Sequence, residues 1–453
     1  MTARLLASRG ILLPASLLAL LLAYASARSP IKALFICLGV AAVALAVANV
    51  EWLLLALLAA FPWEGELHYP TETVTVVKLV GLLLIGAWLL RVVRRNETLR
   101  TSPAVLPAAL FLMFVTLSLL LSPDIGVGVS KYLRYVLFVV FFFLVLQLTR
   151  ERKDVVRALR VIALSSGVAA VIGLENFLFK GAGRAGGPIR DPNDFAYLMA
   201  AILPITAYLF SADKLRRPLW GACFVVTFAA MLATLSRGAI VGIAALAVWA
   251  IVSRSVRIGG IVVGALTGVG VLLLSFTLWS GVINEKLQSK SQIASANAQS
   301  REAFWDAAKR MWLDRPVTGV GPERFGELAN QYVRNNPITL DKPVVHNTYL
   351  ELLAECGLFA LLAFVGYLIA VWRQLASGRR RAREAGDEDG WRLNTALQAS
   401  LVVSIVSGVF LSEQLSVPFW LIGGLAATAS VVVTRKSEEP APAAPAEAAP
   451  ATA

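Results

Sequence analysis

Residues 104–122 read AVLPAALFLMFVTLSLLLS, and residues 127–148 read VGVSKYLRYVLFVVFFFLVLQL. The first run contains no charged side chain, and the second contains only Lys131 and Arg134, both near its start. An α-helix needs about 20 predominantly apolar residues to cross a hydrocarbon core of roughly 30 Å. Each run therefore predicts a transmembrane helix, and the short break between them predicts a pair of neighbouring spans.

The composition extends this pattern to the whole chain. Hydrophobic residues occupy 57% of the 453 positions and charged residues only 16%, and the apolar residues recur in blocks of about 17 to 23. A membrane β-barrel would need short alternating strands, and a soluble domain could not bury so many continuous apolar runs. We predict an all-α polytopic integral membrane protein.

The net charge of +13 predicts membrane topology and does not indicate a nucleic-acid partner. The cationic side chains lie in short segments between apolar blocks and form no basic face of a folded domain. The positive-inside rule places such segments in the cytoplasm. They occur at residues 91–100, 150–160, 214–217, 254–257, 373–392 and 435–436.

Between consecutive basic segments there is room for two spans, which is the parity that the rule demands. The predicted spans are 104–122, 127–148, 158–179, 195–211, 217–235, 238–253, 258–280, 347–372, 393–411 and 416–434. Four further spans in residues 10–92 give about 14 in total, and about 12 is the alternative because residues 31–63 are hard to divide. Both termini are then cytoplasmic.

The span map divides the chain into four parts. Residues 1–280 form an N-terminal transmembrane bundle, 281–346 a long outer loop with amphipathic helices, 347–436 the C-terminal transmembrane helices, and 437–453 a disordered cytoplasmic tail. Residues 1–27 also have the outline of a cleavable signal peptide, but a first transmembrane span fits a chain with many later spans better.

Several arginines depart from the positive-inside pattern because they map to the outer face, among them Arg184, Arg190, Arg237 and Arg301. A guanidinium binds phosphate oxygens in a bidentate manner and keeps its charge. Arg237 is the most informative, since it lies in a tight turn at 236–238 between two apolar spans, where an unpaired charge would be costly. We predict that these arginines bind an anionic ligand.

The remaining outer arginines have a simpler explanation. They share a solvated loop with aspartate and glutamate side chains, so surface ion pairs account for them. These residues are Arg310, Arg315, Arg324 and Arg334.

The same loop contains an apolar stripe at helical spacing. Its members are Phe304, Trp305, Ala308, Met311 and Trp312. This pattern predicts an amphipathic helix that lies on the membrane or caps a cavity. Arg301 would stand at its start, with Ser300 as its N-cap.

His346 is the candidate proton acceptor. It is one of only two histidines, and it follows the long outer loop where an apolar helix re-enters the bilayer. We expect it to share a helical face with Tyr349, Leu350 and Leu353. His68 lies in an outer loop among aromatic residues and is predicted to be an interfacial residue.

Two glutamates follow His346 in the same apolar run. Glu351 and Glu355 are turned away from His346 on a helix, so they are not simple orienting partners for it. An ionisable group at this depth is expected to pair with a basic residue of the bundle. Lys131 and Arg134, at the outer end of another span, are the candidates.

Other chemistries have little support. The chain contains no Ser-His-Asp order with a glycine elbow, no Walker loop and no Cys/His metal spacing. Cys37, Cys223 and Cys356 all lie in apolar segments, so we expect no disulfide. Asp191 and Asp194 are only the nearest approach to an Asp-x-Asp metal pair. We therefore expect no metal and no cofactor, and the arginines would have to stabilise an anionic leaving group.

Five motifs occur in a characteristic order. They are Gly183-Arg184-Ala-Gly-Gly with Pro192-Asn193, Thr234-Leu-Ser-Arg237-Gly-Ala, Ser300-Arg301-x3-Trp305, Pro316-Val-Thr-Gly-Val-Gly321-Pro-x-x-Phe325 and His346-Asn-x-Tyr-Leu-x4-Glu355-x-Gly357. This order resembles the O-antigen ligase and polymerase superfamily of bacterial envelope enzymes. The resemblance covers about residues 180–375 in motif order, and the combination is more specific than any one motif.

The resemblance implies a metal-independent, inverting glycosyltransferase with a GT-C-like helical fold in the bacterial inner membrane. Its active site would face the periplasm, its donor would be a glycan on undecaprenyl pyrophosphate, and its acceptor a sugar hydroxyl of lipid A–core. The resemblance places the family's histidine at His346 and its arginines at Arg237 and Arg301. Arg184 and Arg190 are further pyrophosphate-binding candidates.

The motifs leave alternatives open. A polymerase that uses a lipid-linked glycan as acceptor, and a protein O-oligosaccharyltransferase, share them with the ligase that we favour. A lipid-linked glycan flippase or anion transporter would also place arginines in a cavity. A transporter needs access to its site from both leaflets and is typically built from two repeats, whereas this chain shows no such internal symmetry.

Overall fold

The computed structural model describes residues 49–64, 75–189, 191–253, 301–333 and 343–431. In these ranges the chain forms helices joined by turns and loops. It divides into two compact units, Met1–Leu99 and Arg100–Ala453.

The first unit contains helices α1 (Val50–Ala60) and α2 (Val76–Arg95), and a 3-10 turn at Phe61–Trp63 follows α1. The side chain of Thr75 accepts a hydrogen bond from the Lys78 N–H and caps the start of α2. Asn96 ends α2 in the left-handed conformation. Arg91 pairs with Glu51 and so joins the two helices.

The second unit contains the remaining described helices. They are α3 (Val105–Leu120), α4 (Ile125–Leu148), α5 (Arg152–Leu178), α6 (Pro192–Ala212), α7 (Arg217–Ala233), α8 (Arg237–Val252), α9 (residues 301–314), α10 (Phe325–Tyr332), α11 (Thr348–Glu384), α12 (Glu388–Ser407) and α13 (Val417–Ala429). Every predicted span that falls on described residues coincides with one of these helices.

The helices confirm a polytopic membrane protein. Five of those described, α2, α4, α5, α6 and α11, are long and apolar enough to cross a bilayer, and α1, α3, α7, α8 and α13 are shorter apolar helices. The spans expected before residue 49 and at 258–280 lie outside the described residues. The total of about 12 to 14 spans therefore stays a prediction.

Helices α6, α12 and α13 form the centre of the second unit. Helix α12 packs against α6, α8, α11 and α13, and α13 packs against α4. A cluster of aromatic rings fills the space between α3, α4, α11 and α13. Its closest pair is Tyr367 and Trp420, with ring centroids 4.8 Å apart, and Tyr367 also donates a hydrogen bond to the Phe419 carbonyl at 3.0 Å.

Helix α3 has one buried face and one exposed apolar face. Phe111 and Val115 are fully buried, whereas Leu106, Met113 and Leu120 are each at least half exposed. These three residues recur every seven positions and so lie along one side of the helix. An exposed apolar stripe of this kind is what a lipid-facing helix presents.

Helices α5 and α11 extend further than predicted, because basic segments assigned to loops are helical. Helix α5 begins at Arg152 rather than at residue 158, and a capping box between Glu151 and Asp154 sets its start. Helix α11 continues to Glu384, twelve residues beyond the predicted end at 372. Arginine has a high helix propensity, so charge alone does not end a helix.

Candidate active site

Helix α11 breaks at Gly357. At this break the motif that begins at Pro316 contacts the motif that begins at His346. Gly357 has φ 80°, a left-handed conformation inside an otherwise helical run. Opposite the break, the Val320 N–H donates to the Ala354 carbonyl and the Gly321 N–H to the Glu355 carbonyl, both at 2.9 Å. A Cβ on Gly357 would lie 2.1 Å from the Val317 carbonyl oxygen. The absence of a side chain at Gly357 thus allows the 316–321 segment to form backbone hydrogen bonds with the broken helix.

Helices α9 and α10 form a small core over this segment. Phe304, Ala308 and Met311 of the predicted stripe are buried there together with Phe325 and Val345. The stripe therefore packs onto the protein, which corrects the alternative of a helix lying on the membrane. Ser300 lies outside the described residues.

His346 is not part of the helix that follows it. Its φ is 52°, in the left-handed region that few non-glycine residues adopt. Helix α11 begins at Thr348, and the N-cap Asn347 accepts hydrogen bonds from the N–H groups of Tyr349 and Leu350, both at 3.0 Å. The expected helical face shared by His346 with Tyr349, Leu350 and Leu353 is therefore wrong, because the cap turns the chain before the helix starts.

The loop between α12 and α13 makes hydrogen bonds with the start of α11. The Thr348 N–H donates to the carbonyls of Gly408 and Leu411, and its hydroxyl also donates to Leu411, all at 2.8 Å. The Glu413 N–H in turn donates to the Thr348 hydroxyl at 2.7 Å. Burial raises the pKa of Glu413, and the nearby Asp194 carboxyl raises it further.

Arg237 follows a strained turn and lies at the start of α8, which approaches the same loop. The turn occupies residues 234–236, so Arg237 is the first residue of α8 rather than part of the turn. Leu235 in this turn has φ 55°. A Cβ added to Gly238 would lie 3.3 Å from Phe410 Cβ, which shows how closely the start of α8 approaches the loop. The Arg237 side chain is exposed.

Arg184 lies in the loop before α6 and connects that loop to the 234–236 turn by hydrogen bonds. Its Nε donates to the Thr234 carbonyl at 2.7 Å, and its Nη2 donates to Asn193 Oδ1 at 2.6 Å. The Ala185 N–H donates to the Ala233 carbonyl at 3.0 Å. Part of the guanidinium is therefore already engaged by the protein. Arg190 lies outside the described residues.

Electrostatic effects show that these groups lie near one another. Burial lowers the pKa of His346, the Arg301 charge lowers it further, and Asp191 and Glu351 raise it. Burial also lowers the pKa of Arg301, as does the Arg237 charge. Arg184 has a pKa lowered by burial and by Arg301. The structure thus brings His346, Arg184, Arg237 and Arg301 together.

Asp191 is a residue of this cluster that sequence reasoning considered only as a metal ligand. It is the N-cap of α6, and its carboxylate accepts a hydrogen bond from the Asn193 N–H at 2.6 Å. Its charge raises the pKa values of Arg184, Arg301 and His346. The Asp-Pro pair that starts α6 is a recognisable helix-start signal, and its position beside the outer arginines could have identified it.

The buried glutamates of α11 pair with Lys131, as predicted. Lys131 Nζ lies 2.6 Å from Glu351 Oε1 and 2.7 Å from Glu355 Oε2. Among the described residues neither glutamate pairs with Arg134, which is exposed. Gln414 also donates to Glu351 at 2.6 Å. Loss of one partner from such a buried pair costs about 3–5 kcal/mol, so Lys131 fixes the start of α11 against the bundle.

The outer arginines assigned to surface pairing divide into two groups. Arg310 pairs with Asp306 on the exposed face of α9, with an Nε–Oδ2 distance of 2.9 Å, as expected. Arg315 and Arg324 form no ion pair among the described residues. Arg334 and His68 lie outside those residues.

The fold and this cluster define a polytopic helical membrane protein with a histidine and three arginines gathered at the junction of three loops. Residues 222–365 match the family model described as O-antigen ligase. This match confirms the resemblance to the O-antigen ligase superfamily that the motifs indicated. No curated protein matches the chain.

The matched segment contains Arg237, Arg301 and His346, whereas Arg184 and Asp191 precede it. It supports an activity of the O-antigen ligase and polymerase type in general, with a lipid-linked glycan and an acceptor as the classes of substrate.

Proposed function

We propose that the chain is an inner-membrane glycosyltransferase that transfers a glycan from undecaprenyl pyrophosphate to a sugar hydroxyl of lipid A–core. The observation that carries the proposal is the electrostatic proximity of three groups. His346 is close enough to Arg301 for the Arg301 charge to lower its pKa, and Arg301 is similarly affected by Arg237. A proton acceptor next to two cations suits a reaction in which a hydroxyl attacks and an anion leaves.

In the proposed reaction the acceptor oxygen attacks C1 of the donor sugar as its proton passes to His346. The bond between C1 and the pyrophosphate oxygen breaks, and the electron pair leaves with the pyrophosphate. A single displacement of this kind inverts the configuration at C1. The proton on the histidine then returns to solvent, which restores the base.

His346 is suited to the role of base by its surroundings. Burial and the Arg301 charge lower its pKa, so the neutral imidazole predominates at neutral pH and has a free acceptor nitrogen. The left-handed backbone at His346 is held by the Asn347 cap and by the contacts of Thr348. Strain of this kind persists only where the surrounding structure holds it, and it is common at functional sites.

The arginines have different parts in this proposal. Arg237 is exposed and Arg301 half-buried, and both would bind the pyrophosphate, whose charge rises as the sugar bond breaks. Arg184 already donates to Thr234 and Asn193, so its main part would be to hold the turn that presents Arg237. Asp191 would balance the cations until the donor binds. Arg190 remains a binding candidate.

The orientation in the membrane follows from the charge pattern. His346 precedes the first turn of α11, and arginines lie in the last turns of the helix, beyond the break at Gly357. The positive-inside rule assigns the arginine end to the cytoplasm, so His346 would face the periplasm. Substrates exposed on that face would reach the cluster directly.

The proposal is tested by reconstitution of the purified chain in liposomes with an undecaprenyl-pyrophosphate glycan and lipid A–core. We expect glycan transfer to lipid A–core, with inverted linkage, and continued transfer in EDTA because guanidinium groups would neutralise the leaving group. Growth of the lipid-linked glycan alone would identify a polymerase, and transfer to a protein an oligosaccharyltransferase. Movement of the donor between leaflets without any transfer would overturn the enzyme proposal.

A further inference from the structure

A second site lies at the far end of α11 from His346. A cavity of about 500 Å³ opens between α11, the residues that precede α3 and the end of α13. Its lining includes Gly366, Ile369, Arg373, Gln374 and Arg381 of α11. None of these residues takes part in the cluster around His346.

The lining changes from apolar to cationic along α11. Gly366, Ile369 and Ala370 provide an apolar wall, and Ile369 is 47% exposed. Arg373 and Arg381 follow toward the end of the helix, and both are exposed. The distance along the helix from Gly366 to Arg381 is about 22 Å. This length and gradient match an acyl chain that continues into a polar headgroup.

Both lining arginines lack a carboxylate partner in the part of the chain that the structure describes. Arg381 donates one hydrogen bond, from Nη2 to the Ser430 carbonyl at 3.2 Å, which leaves other donors available. By contrast, Arg380 pairs with Glu384 and Arg392 with Glu388, at 3.8 and 3.0 Å. Within the described residues, no acidic side chain neutralises the two arginines of the cavity.

Gln374 adds a hydrogen-bond acceptor to the cavity, whereas the arginines provide donors. Its Oε1 atom is buried and accepts no hydrogen bond within the described residues. A buried acceptor without a donor is costly, so a ligand with a hydroxyl group would satisfy it. The cavity therefore combines two guanidinium groups, one free acceptor and an apolar wall. This combination is complementary to an anionic amphiphile.

We propose that this cavity binds an anionic glycerophospholipid, with its phosphate at Arg373 and Arg381 and an acyl chain along Gly366–Ala370. A headgroup hydroxyl would donate to Gln374. Basic pockets between transmembrane helices on the cytoplasmic side are known to bind anionic headgroups. A zwitterionic lipid carries a cation that would face the arginines, and inorganic phosphate would leave the apolar wall uncovered.

The bound lipid would also join separate parts of the bundle. Pro103 precedes α3, Ser430 follows α13, and both line the cavity with α11. A ligand that contacts all three segments binds the folded state and raises its stability in proportion to occupancy. This inference does not depend on the proposed transfer reaction.

The test is native mass spectrometry of the detergent-purified chain with phosphatidylglycerol, phosphatidylcholine or inorganic phosphate, together with thermal unfolding. The Arg373→Gln/Arg381→Gln variant is compared with Arg380→Gln/Arg392→Gln, which removes the same charge outside the cavity. We expect the parent and the control to retain phosphatidylglycerol and to gain thermal stability from it. The cavity variant should bind it about tenfold more weakly or worse, the loss of at least one charged hydrogen bond.

Equal binding by both double variants would overturn the proposal, because diffuse charge would then explain the affinity. Equal retention of phosphatidylcholine, or equal stabilisation by inorganic phosphate, would also overturn it. If the cavity double variant does not fold, Arg373→Gln alone decides the question, since this exposed side chain has no ion pair within the described residues to lose.

Discussion

Trp305 donates a hydrogen bond from its indole N–H to the carbonyl of Val345 at 3.0 Å. Val345 immediately precedes His346, so this bond joins α9, which contains Arg301, to the chain that carries the histidine. It is a direct structural connection between the two motifs that the proposed reaction requires to act together.

Removal of that hydrogen bond should loosen the position of His346. Trp305→Phe keeps an aromatic ring in the core of α9 but leaves the Val345 carbonyl without its donor. We expect kcat to fall about 5- to 30-fold, the scale of 1–2 kcal/mol, with KM for the donor little changed. Trp312→Phe is the matched control, because the Trp312 N–H has no hydrogen-bond partner within the described residues. Equal losses in the two variants would contradict a positioning role.

Loss of the imidazole should remove most of the chemistry. His346→Ala should lower transfer by about 10² to 10⁴, the usual scale for a general base. Donor binding and thermal stability should stay near those of the parent, since the Asn347 cap and the Thr348 contacts remain. The measurement is steady-state transfer in liposomes with expression matched. Activity within a few-fold of the parent would remove His346 from the mechanism.

The pH profile should report the charges around His346. A base must be neutral to accept a proton, and the pKa of His346 is lowered by burial and Arg301, so kcat/KM should fall only below the ordinary histidine range of about 6.5. Asp191 raises this pKa, hence Asp191→Asn should move the acid limb to still lower pH. Asparagine also caps helices, so the start of α6 is preserved.

The control for the pH experiment is Asp306→Asn, which removes one carboxylate from the exposed pair with Arg310. Its acid limb should coincide with that of the parent. An upward shift in Asp191→Asn, or the same shift in both variants, would show that Asp191 does not act on the base.

At Arg237 and Arg301, the shape of the guanidinium group should matter as well as its charge. Lysine keeps the charge of Arg237 or Arg301 but cannot donate two parallel hydrogen bonds to a pyrophosphate. Each Arg→Lys variant should lose about tenfold or more in kcat, and each Arg→Ala variant more still. Arg310→Lys, on the exposed face of α9, should be nearly silent. Lysine variants with the activity of the parent would leave only a diffuse electrostatic role.

The break in α11 should tolerate no side chain. Gly357→Ala places a Cβ 2.1 Å from the Val317 carbonyl oxygen at a φ of 80°, so the variant should lose about 2 kcal/mol or more of stability. The 316–321 segment would separate from the helix and transfer would fall. Gly86→Ala in α2 is the comparison, since nothing lies within 4 Å of its Cβ. A thermal unfolding midpoint equal to that of the parent would contradict this account of the break.

Most of the helices could be predicted from the sequence because lipid imposes a simple requirement. Each span needs a long apolar run, and such runs are visible at 104–122 and 127–148 without any knowledge of their neighbours. The ends of α5 and α11 were less predictable. Their basic residues remain helical and find partners across the bundle, as Arg152 does at Asp387 with an Nη1–Oδ1 distance of 2.8 Å.

The pairing of Lys131 with Glu351 and Glu355 was predictable for a similar reason. Ionisable groups inside a membrane need a counter-charge, and Lys131 lies near the start of a span that the charge pattern assigns to the same face. The role of Asp191 was not predictable in this way. Its effect on His346 depends on a loop that Arg184 attaches to the α7–α8 turn, and that contact joins residues 50 positions apart.

The membrane class, the positions of most described helices and the types of residue available for chemistry can all be predicted from the amino-acid sequence alone. These properties depend on local hydrophobicity and on the scarcity of histidine and outer arginine. Three features become visible only in the folded chain. His346 lies outside its helix in a left-handed conformation, the glycines of two distant motifs meet at the break in α11, and Asp191 shares the site. Such features arise from backbone hydrogen bonds between distant segments, which no local pattern of side chains specifies.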